Sequence, residues 1–224
     1  MNTRIMLFLF LAVGLRSQER ESIRYDLMDS FRNGQLTVHN RHAEIGTDGA
    51  RNWLTLSEET GEGLVWLNDT AFSTGIIDID LKGQDVFQHS FVGIAFHGLN
   101  DSTFEAVYFR PFQFQTADTA RKKRAVQYIS LPEFTWQRLR SEHPGMYEKP
   151  VFPGPDPNDW FHAAIVVTEE EIRIYVNDGA TPALTVASLS GRVNGKIGLY
   201  TGDRSGGSFS NLSIKRSQPI PGRK

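Results

Sequence analysis

Two neighbouring stretches decide the fold: residues 91–97, which read FVGIAFH, and residues 104–110, which read FEAVYFR. In both, bulky apolar side chains occupy alternate positions, and this period of two places one set of side chains on each face of a β-strand. The same pattern recurs at residues 35–39, 52–56, 64–67, 75–81, 125–129, 161–167, 172–177, 183–187, 196–201 and 209–215. A dozen short strands separated by Gly and Asn turns predict an all-β protein, a two-sheet antiparallel β-sandwich.

One long segment, residues 111–159, interrupts this pattern and is called the insertion below. It is rich in proline and aromatic residues, holds one convincing strand at residues 125–129, and favours a short helix over residues 133–142. Loops longer than about 12–15 residues in a compact domain are usually functional or disordered. Disordered segments are poor in aromatic residues. We therefore expect the insertion to fold back over the sandwich.

The N-terminus has the layout of a secretory signal peptide. Arg4 precedes the apolar residues 5–15, and the chain turns polar after Ser17. A helix of this length spans only about 17 Å, which is too short for a hydrocarbon core of about 30 Å. We expect a signal peptide at residues 1–17, one exported domain at residues 18–216 and a flexible tail at residues 217–224; a buried N-terminal helix is the alternative. The mature protein would be periplasmic or extracellular, without membrane insertion.

Composition excludes several classes of partner. The chain of 224 residues contains no cysteine, which excludes disulfides, thiolate metal sites and a cysteine-linked lipid anchor. This composition fits a bacterial exported protein. A net charge of −2 gives no electrostatic case for nucleic acid, and the one basic run, residues 121–124, is expected to be a solvated loop. The sequence indicates no oligomeric state.

We expect no cofactor and no metal site. Asp156, Asn158 and Asp159 offer the oxygen ligands that calcium prefers, and Asp203 lies in a glycine-rich turn. Both groups fit ordinary turns better than a calcium site, and no histidine spacing suggests zinc. Phosphate-binding glycine loops and the Gly-x-Ser-x-Gly motif of serine hydrolases are absent from the sequence.

A family resemblance is carried by seven short segments. They are residues 90–97 (SFVGIAFH), 107–112 (VYFRPF), 125–130 (AVQYIS), 144–148 (PGMYE), 159–162 (DWFH), 174–177 (IYVN) and 198–200 (GLY). Together they resemble exported bacterial proteins of the concanavalin A-like lectin/glucanase superfamily, with LamG-like and keto-disaccharide-hydrolase-like domains as structural neighbours. The resemblance covers roughly residues 72–215. It implies a jelly roll whose curved inner sheet, in relatives, often binds glycans, although a fold alone does not fix a function.

Strand alternation also proposes a binding face. If Val92, Ile94 and Phe96 point into the core, the opposite face carries the small residues Gly93 and Ala95, which leave room for a ligand. Sugar recognition uses aromatic rings for stacking and fixed polar groups for hydroxyls. The predicted ligand-binding residues are His97, Tyr108, Arg110 and Gln127 on this face, with Trp136 and Tyr147 from the insertion.

Five of these six residues also have a purely structural interpretation. His97 could donate to a backbone carbonyl, and Arg110 could anchor the insertion through an ion pair with Glu142 or Glu148. Tyr108 and Gln127 could belong to a buried network that holds the same segment. Trp136 could form part of a small core within the insertion.

Candidate catalytic acids are Glu142 and Glu148, which lie beside His143 in the insertion. Asp78 and Asp80 form a second pair, about 6.5–7 Å apart on one strand face, within the range that inverting glycosidases use. Glucanases of the superfamily carry a Glu-x-Asp-x-x-Glu pattern on one strand, and this sequence lacks it. The sequence therefore predicts a secreted or periplasmic glycan-binding β-sandwich. A glycoside hydrolase acting on oligosaccharides is the alternative, and a non-catalytic interaction domain of the cell envelope is the second alternative.

Overall fold

Two antiparallel sheets pack face to face in the computed structural model, which describes residues 22–217. The eight-stranded sheet contains, in spatial order, β13 (Leu184–Ala187), β12 (Glu171–Val176), β11 (Phe161–Val167), β6 (Gly75–Lys82), β15 (Gly207–Arg216), β4 (Asn52–Leu56) and β3 (Ala43–Thr47), with β1 (Ile23–Tyr25) paired to β15. The seven-stranded sheet contains β10 (Glu148–Lys149), β9 (Val126–Ser130), β8 (Thr103–Phe109), β7 (Val92–Asn100), β14 (Gly195–Thr201), β5 (Gly63–Phe72) and β2 (Leu36–His39). The predicted two-sheet antiparallel sandwich is confirmed.

The described helices are short and sit outside the sheets. They are α1 (Leu27–Arg32), a 3₁₀ helix (Pro111–Gln113), α2 (Thr119–Lys122) and α3 (Trp136–Glu142). Each of the twelve predicted strands is present, whereas β1, β3 and β10 were not predicted. The predicted helix of residues 133–142 is α3, which begins at Trp136 because the Thr135 side chain accepts the amide hydrogen of Arg138 as an N-cap.

The two sheets differ in how their outer faces are covered. In β6 of the eight-stranded sheet, Ile77, Ile79 and Leu81 are fully buried while the residues between them are partly exposed, so one face meets solvent. In β8 of the seven-stranded sheet, every residue from Phe104 to Phe109 is buried, so both faces are covered. The cover over the outer face comes partly from the insertion, whose helix α3 packs on β9 and buries Leu139. The insertion therefore folds back over its own sandwich, as expected.

The predicted terminal segments can be compared with the described part of the chain. The predicted signal peptide, residues 1–17, lies outside the described residues, and so does the predicted tail apart from Ser217. Across the described part of the chain, no helix combines the length and the apolar character that a membrane crossing needs.

Candidate functional site

A cleft of about 320 Å³ opens on the outer face of the seven-stranded sheet. Its volume falls at the lower end of the range of about 300–1,000 Å³ found for small-molecule sites. Tyr108 of β8 and Tyr200 of β14 both line it, and both pair with Gly93 of β7, so the three residues share one face. The two tyrosine rings lie 5.6 Å apart between centroids and form the floor.

Gly93 allows the strands to approach closely under this floor. A Cβ atom at this position would lie 2.0 Å from the carbonyl oxygen of Val107 and 2.6 Å from the Cα of Tyr108. Only glycine fits between these backbone atoms. The sequence suggested that Gly93 leaves room for a ligand. In the structure it sets the spacing of the strands that carry the two tyrosines.

Aromatic side chains form the sides of the cleft. Phe91 and Phe112 contact edge to face, with ring centroids 5.5 Å apart, and Phe87 packs on Phe112 at 5.6 Å. Phe87 is 51% exposed and Trp136 at the start of α3 is 40% exposed, although both are large and apolar. Exposed apolar groups beside a concave site are typical of ligand contacts.

Arg110 is the buried polar centre beneath the cleft. It is 4% exposed and donates to the Tyr108 hydroxyl at 2.9 Å, to Gln127 Oε1 at 2.7 Å and to the carbonyl oxygen of Arg124 at 2.7 Å. Burial raises the pKa of Tyr108, so its phenol stays neutral. Since the Tyr108 oxygen accepts from Arg110 and its own hydrogen has no acceptor among residues 22–217, that hydrogen is available to a ligand. The buried network that the sequence offered for Tyr108 and Gln127 is present.

Glu148 lies next to this centre and is shared by three guanidinium groups. Arg140 donates to both of its carboxylate oxygens, at 2.9 and 2.6 Å, while Arg124 and Arg110 approach to 3.5 and 3.8 Å. Glu148 is 5% exposed. The alternative in which Arg110 anchors the insertion through an ion pair with Glu148 is therefore confirmed.

The two candidate acids from the insertion lie in different surroundings. Glu142 is exposed at the end of α3 and bonds to Arg138 at 3.0 Å, and it shares no hydrogen-bond or ion-pair partner with Glu148. Of the two, neither lines the cleft directly. Their catalytic role stays a prediction.

His97 does not lie on the predicted face. Its backbone has φ of 48°, and the register between β7 and β8 shifts between Phe96 and Asn100. Such a bulge re-aims one side chain. Here the imidazole turns to the core side, with Nδ1 2.8 Å from Glu105 and Nε2 2.6 Å from the carbonyl oxygen of Ser73. The assignment of His97 to the face of Tyr108 is wrong, and its structural interpretation as a partner of a backbone carbonyl is confirmed.

Glu105 is the centre of a second buried network, between the sheets. Its carboxylate accepts hydrogen bonds from His97 and from the hydroxyls of Tyr128, Ser188 and Ser190. Burial alone would raise the pKa of Glu105, but the hydrogen bonds from His97, Ser190 and Tyr128 outweigh it and hold the pKa below its ordinary value. This network joins β7, β8 and β9 to the segment that follows β13.

Tyr147 also lies away from the cleft. Its ring packs against Tyr128, with centroids 6.0 Å apart, and against His143 at 5.9 Å. Of the six predicted ligand-binding residues, Tyr108, Arg110 and Trp136 line the cleft. Gln127 supports Arg110 from beneath, while His97 and Tyr147 face other surroundings.

Two acidic residues of the cleft, Glu62 and Asp203, were not predicted as site residues. Burial raises the pKa of Glu62, whose carboxyl accepts a hydrogen bond from Tyr200 at 3.3 Å. The amide of Gly61 donates to Asp203 at 2.7 Å and lowers the pKa of that carboxyl. Both lie beside glycine in turns between strands, so only the three-dimensional structure shows that they line the cleft.

The basic run of residues 121–124 contains no buried residue, in agreement with the expected solvated segment. Asp118 caps α2 by accepting the amide hydrogens of Ala120 and Arg121, which directs the run toward the cleft. Arg121 and Arg124 also line the cleft, which the sequence did not indicate. Arg121 stacks 4.7 Å over the ring of Phe87, and Arg124 approaches Glu148.

Arg41 fixes the two loops that carry Glu62 and Asp203. It is buried, and its guanidinium donates to the Thr201 hydroxyl at 2.9 Å. It also donates to the carbonyl oxygens of Asn40, Gly61, Thr201, Gly202 and Ser205. One side chain thereby holds both loops at the edge of the cleft.

The second candidate acid pair, Asp78 and Asp80, lies on the eight-stranded sheet and faces a histidine. His162 sits 3.5 Å from Asp78 and 3.0 Å from Asp80, and Asn211 donates to Asp80 at 2.7 Å. Hydrogen bonds to Asp78 and then Asp80 raise the pKa of His162 to about 10. Asp78 and Asp80 are thus paired with the cationic side chain of His162, and all three residues lie on the eight-stranded sheet, away from the cleft.

The groups considered for calcium form turns. Asp156 accepts the amide hydrogen of Asn158 at 2.9 Å, and Asp159 accepts that of Trp160 at 2.7 Å. Within residues 22–217, no three His, Asp or Glu side chains are grouped in a way that could hold a metal ion.

The fold is a jelly-roll β-sandwich, as the sequence resemblance predicted, and solved structures of the same fold are similar to it. Carbohydrate-binding module CBM66 from Bacillus subtilis superposes with a TM-score of 0.55 at 14% identity, covering 80% of this chain and 93% of that one. A family 16 endo-glucanase from Bacteroides ovatus gives 0.52 at 12% identity, covering 80% and 93%. The exoplasmic/lumenal domain of VIP36, bound to calcium and Man3GlcNAc, gives 0.51 at 11% identity, covering 84% and 86%.

These likenesses define the fold alone, because all lie far below the identity at which function transfers. No protein-family model matches the sequence. No curated protein sequence matches it either.

Proposed function

We propose that this protein is an exported glycan-binding β-sandwich and that the cleft on the seven-stranded sheet is its binding site. The observation that carries the proposal is the cleft itself, with the Tyr108–Tyr200 floor, exposed rings at its edge and several guanidinium groups. Aromatic surfaces with a few fixed polar groups are the usual composition of small-molecule sites. The likeness in fold to a carbohydrate-binding module and to a domain bound to Man3GlcNAc supports the same class.

Export follows from the sequence and belongs to the proposal. The layout of residues 1–17 supports a signal peptide, and residues 18–216 would then form the exported domain, in the periplasm or outside the cell.

Individual residues have distinct roles in the proposed site. Trp136 and Phe87 offer exposed rings on which the C–H face of a sugar can stack. The Tyr108 hydroxyl, already accepting from Arg110, donates its own hydrogen to a ligand oxygen. Glu62 accepts hydrogen bonds from ligand hydroxyls.

The test is native mass spectrometry of the mature protein against a broad oligosaccharide panel, followed by calorimetry on the binders. Trp136→Ala should weaken binding by about three- to tenfold, as expected for one aromatic contact. Phe152→Ala is the matched control, because Phe152 lies in the same insertion, is 88% exposed and does not line the cleft. Unchanged affinity of the Trp136 variant would place the site elsewhere. If no oligosaccharide of the panel binds, the alternative of a non-catalytic interaction domain of the cell envelope would be favoured.

A second candidate function, glycoside hydrolysis, is favoured by one observation in the cleft. Glu62 and Asp203 both line it, and their surroundings raise the pKa of the first and lower the pKa of the second. Opposite shifts in two neighbouring carboxyls are the pattern of an acid with an ionised partner. New fragment masses in the same experiment, lost in Glu62→Gln with binding retained, would establish the hydrolase. Their loss in Glu142→Gln or Glu148→Gln instead would assign the acids predicted from the sequence.

A further inference from the structure

The cleft is cationic although the whole chain carries a net charge of −2. Five guanidinium groups line it, those of Arg110, Arg121, Arg124, Arg140 and Arg204. Four carboxylates line the cleft or pair with these arginines: Glu62, Asp203, Asp118 and Glu148. Burial shifts Glu62 toward its neutral form, which increases the positive excess.

Most of these arginines already have a close partner. Arg121 bonds to Asp118 at 3.0 Å and Arg204 to Asp203 at 3.2 Å. Arg140 donates to both oxygens of Glu148, and Arg110 is buried and donates to the Tyr108 hydroxyl, to Gln127 and to the carbonyl oxygen of Arg124. These four arginines need no further anion.

Arg124 is different. Its side chain is 40% exposed, and its guanidinium forms no hydrogen bond within residues 22–217. Its one ion pair is a 3.5 Å approach to Glu148, a carboxylate whose two oxygens Arg140 already occupies. Three guanidiniums therefore share one carboxylate at this end of the cleft, and the excess positive charge lies on the side chain that faces the ligand space.

We propose that the saccharide bound in the cleft is acidic and that Arg124 binds its carboxylate or sulfate group. This inference rests on the proposed function. A planar guanidinium with free N–H groups matches the two oxygens of such an anion, and the bonds are stronger than those to neutral hydroxyls. A neutral sugar would leave the excess charge uncompensated. The aromatic ring of Trp136, on which Arg140 stacks at 4.7 Å, lies on the same side and would hold the sugar ring beside its acidic group.

The experiment compares matched sugars by calorimetry on the full mature protein at low and high salt. One pair is a galacturonic acid oligomer and the galactose oligomer of the same length; the other is a sulfated galactan oligomer and its desulfated form. The acidic members should bind about tenfold more tightly, and the advantage should shrink as salt screens the charges. A preference confined to the first pair assigns a carboxylate, and one confined to the second assigns a sulfate.

Arg124→Gln should abolish this preference, so that the acidic and the neutral member of each pair bind with equal affinity, and it should leave the fold intact because the side chain is exposed and forms no hydrogen bond within residues 22–217. Arg173→Gln is the control, since Arg173 is exposed on β12 of the other sheet and pairs with Glu171. Equal binding of acidic and neutral members by the wild type, or a preference that survives Arg124→Gln, would overturn the inference and leave the glycan site standing. Failure of every saccharide to bind would overturn the proposed function itself.

Discussion

Replacing Glu148 by glutamine removes the single negative charge that Arg110, Arg124 and Arg140 share, while keeping the shape of the side chain. Glu148 and Arg110 are 5% and 4% exposed, so water cannot compensate at this pair. Breaking a buried ion pair from one side costs about 3–5 kcal/mol. Arg140 and Arg124 are 25% and 40% exposed and can turn toward solvent. We therefore expect the free energy of unfolding to fall by about 3 kcal/mol, the lower end of this range, which corresponds to a decrease of about 6–12 °C in Tm for a chain of this size.

Urea denaturation followed by circular dichroism measures this loss as a lower midpoint with an unchanged slope. Glu142→Gln is the control, because Glu142 is a glutamate of the same insertion that pairs only with Arg138 on the surface. Its midpoint should match that of the wild type. If Glu148→Gln and Glu142→Gln denature at the same urea concentration, Glu148 is not the electrostatic anchor of the insertion and the reasoning fails.

Three further predictions concern stability and protonation. Glu105→Gln should lower the free energy of unfolding by about 3 kcal/mol at neutral pH. Because the folded pKa of Glu105 lies below its ordinary value of 4.5, this difference should persist above pH 4.5 and vanish as the pH falls through the folded pKa. Urea midpoints taken from about pH 7 to about pH 3 measure it. His162, with a pKa of about 10, should remain protonated at pH 8 in an NMR titration, and Asp80→Asn should lower the pKa of His162. The contribution of protonated His162 to stability is complete below pH 6.5 and is lost as the pH rises through about 10. Gly93→Ala should cost about 1–3 kcal/mol or more in thermal unfolding, since its Cβ would meet the Val107 carbonyl; a variant as stable as the wild type would show that the strands can separate freely.

Most of the fold could be predicted from the sequence because a period of two is a local property. The alternation in residues 75–81 and 161–167 corresponds directly to buried and half-exposed positions in β6 and β11. Strand β3 was not predicted because it includes Gly46, and a glycine weakens the alternating pattern of a strand. The structure gives the reason for this glycine, since a Cβ there would lie 2.3 Å from the ring of Trp53.

The site could be predicted only where alternation and residue type were enough. Tyr108 and Arg110 follow from the strand pattern, and Trp136 from the aromatic character of the insertion. His97 was misplaced because a bulge with positive φ at a residue other than glycine leaves no clear mark in the sequence. Arg124 and Glu62 were missed because their significance depends on Glu148 and Tyr200, which reach them from distant parts of the chain.

The clamp formed by Arg41 has a kinetic consequence. Because one guanidinium fixes the loops at Gly61 and Gly202 during folding, the entropy of ordering this edge of the cleft is lost before any ligand arrives. An arginine also keeps its charge across the physiological pH range. Ligand capture at this edge should therefore proceed in one step whose rate follows ligand concentration, with no slower phase from loop closure.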